Sequence, residues 1–184
     1  MYPDKNNKVL YFEYTIYRLS EWVKKNNPKC THPEFIFSKL KALKLLFFVA
    51  AVGADANNNK LLNIFNKFYA MPYGPVESDI YNSILNHTTK VYDIFDRGTL
   101  KKNAVDEVAI FSTLDKEIKK EIDDNIMLLL KKNSNIINLP PYKLVDISHK
   151  WSVWIDAMSI ADILGKKSEI MPICDIISSS KFYE

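Results

Sequence analysis

The stretch from Ala70 to Tyr81, Ala-Met-Pro-Tyr-Gly-Pro-Val-Glu-Ser-Asp-Ile-Tyr, restricts what this chain can fold into more than any other. Pro72, Gly74 and Pro75 interrupt any regular element that enters them. Gly74 can take dihedral angles closed to residues with a Cβ. Pro75 has a fixed φ and no N–H to lose, which suits the first position of a helix. Val76, Ile80 and Tyr81 then share a helical face. Glu77 and Asp79 fall in the first turn, where the positive end of the helix dipole favours them. The expectation is a rigid elbow that delivers the chain into a helix over about 75–85. Gly74, Pro75 and Val76 are its structural core.

The segments that flank the elbow are mostly helical in period. Residues before Lys8 are polar and are expected to fray. From there Val9, Phe12, Ile16, Leu19 and Val23 form an amphipathic stripe with Glu13 on its margin and Tyr14 pointing away. That helix should end before Pro28. Thr31-His32-Pro33-Glu34 reads as a capping box opening a helix from Phe35 to about Val52. The middle of this helix is apolar on nearly every side, so it is expected to be the buried centre of the fold. Lys41 and Lys44 interrupt it on one face. Their stems can run along the core edge with the ammonium groups in water, or the pair can form a basic strip that meets a partner.

Beyond a loop at 53–59, the period of Leu61 to Ala70 does not separate helix from extended chain. Thr88 to Phe95 reads as a strand before a Gly98 turn, with Val105 to Phe111 as the segment that pairs with it. Ser112-Thr113-Leu114-Asp115 caps a helix to about Lys132. A helical segment over 142–150, the Trp151–Trp154 segment and a last helix to Gly165 follow. Residues 166–184 form a tail whose Ile170, Pro172 and Ile173 dock on the core. The fold class is mostly α: a single helical domain around a buried central helix with a short β-hairpin, its core at about 31–163 within 1–184.

Composition narrows the function classes. The net charge of +3 is too small to imply nucleic acid, and Arg18 and Arg97 are the only arginines for bidentate base or phosphate recognition. Cys30 and Cys174 are far apart with no metal spacing, and a reducing cytoplasm is the default. The longest apolar run, Leu45 to Ala54, is too short to cross a bilayer. No phosphate-binding glycine loop and no convergent ligand set emerge, so no cofactor, no metal and no enzyme is expected. Asp146 and His149 can touch on a helix beside Ser148, which keeps a hydrolase reading alive behind a structural Asp–His network.

Three segments in order carry a resemblance. Lys41-Ala42-Leu43-Lys44-Leu45-Leu46-Phe47-Phe48, the Tyr73-Gly74-Pro75-Val76 elbow, and Leu144 through Ser148-His149 to Trp151 and Trp154 resemble the Panacea domain, the SocA-like antitoxin domain of bacteria and their phages. The resemblance spans about residues 38–155. Met71 departs from a frequent Trp, and Ser152-Val153-Trp154 replaces a common Pro-Trp pair. The resemblance implies the antitoxin of a toxin–antitoxin pair, binding a cognate protein toxin directly. Toxins of unrelated classes, including alarmone-synthetase-like ones, accompany the family. Proteolytic adaptation of the toxin and binding of operator DNA are the alternatives, the latter testable as a continuous face of Lys39, Lys41, Lys44 and Lys150. The partner-contact candidates are Lys41, Lys44, Tyr69, Tyr73, Glu77, His149, Trp151 and Trp154, the aromatic ones because such side chains anchor interfaces.

Overall fold

In the computed structural model, which describes residues 5–184, every residue from Lys41 to Val52 is buried. These residues belong to α2 (Lys39–Val52), and the rest of the molecule is arranged around it. Helix α1 (Lys5–Asn26) covers one side, and its Phe12, Ile16 and Leu19 are fully buried. The expected fraying before Lys8 falls partly outside the described residues; α1 already includes Lys5 to Asn7. Glu13 does not lie on a solvent margin. It is fully buried, and its carboxylate accepts hydrogen bonds from the backbone N–H groups of Lys90, Val91 and Tyr92. Tyr14 does not point away either. It is buried edge-on against Phe111 and donates to Asp123.

The Thr31 capping box does not open the central helix. Pro33–Ile36 forms a single 3₁₀ turn, the chain extends through Phe37, and α2 begins at Lys39 with the Ser38 hydroxyl accepting from the Lys41 N–H. Phe37 is fully buried, so tertiary packing of that ring overrides the local helical signal. A short helix, α3 (Lys60–Ile64), then leads into β1 (Phe68–Met71). The ambiguous segment is thus helical in its first half and extended in its second.

The elbow is the turn of a β-hairpin. β1 pairs antiparallel with β2 (Gly74–Glu77), with Tyr69 opposite Val76 and Met71 opposite Gly74. Pro75 therefore sits in a strand and not at a helix start. Helix α4 (Ser78–Leu85) begins only after Glu77, whose carboxylate accepts from the Ile80 N–H. Proline lacks a donor, but an edge strand tolerates that, and β2 is an edge of its sheet.

A second hairpin joins β3 (Tyr92–Ile94) to β4 (Thr99–Lys101) through the Gly98 turn. The segment expected to supply its partner strand is instead largely helical, α5 (Glu107–Ser112), capped by Asp106. Helix α6 (Lys116–Lys132) is capped by Asp115 and packs on α2, where the Asn125 side-chain amide donates to the Val49 carbonyl. Helices α7 (Pro141–His149) and α8 (Ser152–Ile163) follow.

The last residues are more than a tail. β5 (Glu169–Ile170) pairs with β1 to give a sheet of order β2-β1-β5, and α9 (Ile173–Ser178) buries Ile176. Tyr183 is buried against Phe48 and Trp151. Lys181 donates to the carbonyls of Ala51 and Ala54 at the C-terminal end of α2, where the helix dipole favours a cation. The result is mostly α with small antiparallel sheets.

Candidate partner-recognition site

Lys44 sits beneath the first hairpin. Its side chain is fully buried, and Nζ donates to the Pro75 carbonyl at 2.7 Å. Burial pushes its pKa down to about 7, because a charged ammonium loses its hydration there. Neither surface reading of this lysine holds: its head is neither in water nor on a basic strip. Lys41, also buried, lies with its ammonium 5.8 Å from the centre of the Phe37 ring, and burial lowers its pKa to about 8.

Gly74 is required twice over. Its φ is +86°, and a Cβ there would come within 2.3 Å of the Ser148 hydroxyl and 3.0 Å of Lys44 Cε. The hairpin turn, α2 and α7 thus meet at a point with no room for a side chain. Ser148 is itself buried and donates to the Val145 carbonyl at 2.8 Å.

His149 and Trp154 hold the outer side of the same turn. Their rings stack at 3.7 Å between centroids and 12° between planes. Trp154 Nε1 donates to the Met71 carbonyl at 3.1 Å, tying α8 to the end of β1. The His149 pKa is lowered, by burial first and then by the positive charge of Lys44, while Asp146 and the Pro72 carbonyl pull the other way. His149 Nε2 is buried without a hydrogen-bond partner among the described residues. Asp146 is exposed on α7 and pairs with Lys143 at 3.6 Å. Ser148, His149 and Asp146 are therefore not arranged as nucleophile, base and orienting acid, in which each would hydrogen-bond to the next.

The far end of β2 is held by charge. Glu77 is fully buried and accepts from Lys8 Nζ at 2.9 Å, from the Lys67 N–H and from the Ile80 N–H. Lys8 also reaches Asp79 at 2.7 Å. Burial raises the Glu77 pKa against the pull of Lys8. Burial would raise Asp79 too, but Lys8 and Lys67 hold it below the usual carboxylate value.

The eight expected contact residues separate by depth. Lys44, Glu77 and Trp151 have no exposed surface, and Lys41 has almost none. Trp151 packs on Phe47 and Phe48 and donates from Nε1 to the Phe182 carbonyl. Tyr69, His149 and Trp154 are half-buried. Tyr73, at the tip of the turn, is 71% exposed. A continuous basic face of Lys39, Lys41, Lys44 and Lys150 does not form: two are buried, Lys39 pairs with Asp96, and Lys150 donates to the Glu184 carbonyl. Sequence reasoning missed Lys8 and Glu13. A lone charge at the margin of an otherwise apolar helical stripe, as at Glu13, was the available signal.

The sequence model of one protein family, the antitoxin SocA-like Panacea domain, matches residues 43–155. The chain belongs to this family. The match begins in α2 and ends in α8, so it takes in the Lys44–Gly74–Ser148 junction and the His149–Trp154 stack. Helix α1, β5 and α9 lie outside it. Comparison with curated proteins and with solved structures finds no match. Among the described residues no helix is long and apolar enough to cross a membrane.

Proposed function

We propose that this chain is the antitoxin of a bacterial or phage toxin–antitoxin pair and neutralises a cognate protein toxin by binding it directly. Membership of the SocA-like antitoxin family supports the role. The observation that carries direct binding is how the family motif is used. Lys44, Gly74, Ser148, His149 and Trp154 pack together at the hairpin, and Lys44 and Trp154 donate to its backbone carbonyls. What this junction presents to solvent is a closely packed turn with Tyr73 exposed at its tip. Preorganisation of this kind lowers the entropic cost of association, and an exposed tyrosine supplies contact area with few rotatable bonds.

The test is to express the product of the adjacent open reading frame alone and together with this chain. Growth arrest by the neighbour, relief by co-expression and co-purification of the two chains is the expected result. A neighbour that arrests growth and is relieved without forming a complex refutes direct binding and points to proteolytic adaptation or to repression. Within the complex, Tyr73→Ala should weaken affinity by roughly tenfold, the scale of an exposed aromatic contact.

A further inference from the structure

Helix α8 contradicts its own position. Its sequence, Ser-Val-Trp-Ile-Asp-Ala-Met-Ser-Ile-Ala-Asp-Ile, is apolar on most sides, the mark of a helix enclosed by protein. Yet only Val153, Ala157 and Ala161 are buried in it. Ile155, Ile160, Ile163 and Leu164 are between 47% and 83% exposed, and Ile170 of β5 continues this surface at 43%. Single exposed aliphatic residues are ordinary, but Ile160 and Ile170, from two different elements, wall one groove.

This groove, of about 380 Å³, runs between α8, β5 and α9. Ile160, Ile170 and Pro172 give it apolar walls, and its charged side chains are Asp156, Glu169 and Asp175. Glu169 is paired with Lys166 at 2.9 Å. Asp156 and Asp175 are exposed and are bound by no cation among the described residues. The groove is thus acidic on a chain whose net charge is +3. Most of it lies beyond residue 155, outside the segment matched by the family.

We infer that the α8–β5–α9 groove is the seat of a cationic amphipathic segment of the partner, a helix that presents aliphatic side chains to Ile160 and Ile170 and Lys or Arg to Asp156 and Asp175. This inference rests on the antitoxin reading and adds a second contact face to the Tyr73 turn. Charge complementarity selects the occupant. An anionic membrane surface would be repelled by the carboxylates, and a second groove of the same chain would set acid against acid. An amphipathic helix lying in a hydrophobic groove is a recurrent mode of recognition. The family segment then supplies the frame, while the residues after it set which partner is bound, as expected where function is grafted onto a shared fold.

The experiment is titration of the full chain with the product of the adjacent open reading frame, by calorimetry at two salt concentrations, alongside growth rescue. The variants are Asp156→Lys/Asp175→Lys and, separately, Ile160→Asp; all three positions are exposed, and thermal melting verifies that the fold is retained. The charge-reversed variant should bind at least tenfold more weakly, lose most of the salt dependence and fail to rescue growth. A Lys→Glu or Arg→Glu change in the partner should restore binding to it. If the wild-type chain binds and rescues while both variants match it, the groove is refuted and the antitoxin reading stands. If the wild-type chain neither binds nor rescues, both fall. If the chain self-associates through Ile160 while binding its neighbour normally, the occupant is a second copy and the inference is overturned.

Discussion

Replacing Lys44 with Met should flatten the pH dependence of stability. Met matches the length of the lysine stem, cannot ionise, and fills an irregular cavity readily. In the folded protein burial lowers the Lys44 pKa to about 7, whereas an unfolded lysine titrates near 10.4. Between these values the unfolded chain holds more protons at this position than the folded one. Stability therefore rises with pH across the window from about 7 to about 10, and below about 7 both states are protonated and the contribution is flat. The slope approaches about 1.4 kcal/mol per pH unit in the middle of the window. From roughly pH 7.5 to pH 9.5 the wild type should gain about 2 kcal/mol relative to Lys44→Met, or some 4–8 °C in melting temperature for a domain of this size. Lys41 titrates in the same window but is present in both proteins, so the difference isolates Lys44. Urea melts of both proteins at four pH values provide the measurement. Parallel curves would refute the argument, because they would mean that the lysine head is hydrated in the folded state.

Three further outcomes follow from the same junctions. Gly74→Val should cost about 3 kcal/mol from backbone strain and overlap with Ser148, whereas Gly165→Ala, at φ +64° with no atom within 4 Å of the new Cβ, should cost only about 1 kcal/mol; equal losses in denaturant melts would remove Ser148 from the account. Glu13→Leu should cost about 3 kcal/mol or more, since it strands the amides of Lys90, Val91 and Tyr92 that the carboxylate now accepts, and hydrogen exchange should quicken at those residues first. Trp154→Phe keeps a ring over His149 but loses the bond to the Met71 carbonyl, so it should destabilise by about 1 kcal/mol; a larger loss in melting experiments would assign the effect to packing.

Much of the architecture was legible because it is periodic. The buried identity of α2 followed from a run apolar on nearly every side, and α1 and α6 from a stripe and a cap. The resemblance located the elbow, the Lys-Leu-Leu helix and the Ser-His-Trp segment before their contact could be seen. What failed was local inference where a distant group decides. The Thr31 box lost to the burial of Phe37, and Pro75 entered a strand because Lys44 and β1 hold it there. The segment over 105–111 lost its strand because Thr99–Lys101 was nearer to the Gly98 turn.

The sequence by itself determined the helical class, the central helix and the family. These depend on spacing within one segment, or on motifs that survive as strings of residues. Tertiary structure alone decided that Lys44 is an internal strut, that Glu13 and Lys8 are buried ligands of backbone and carboxylate, and that β5 completes the sheet. It also decided that α8 leaves Ile155, Ile160 and Ile163 exposed. Each of these turns on whether water reaches a side chain, and that is set by residues remote in the chain that the fold brings together.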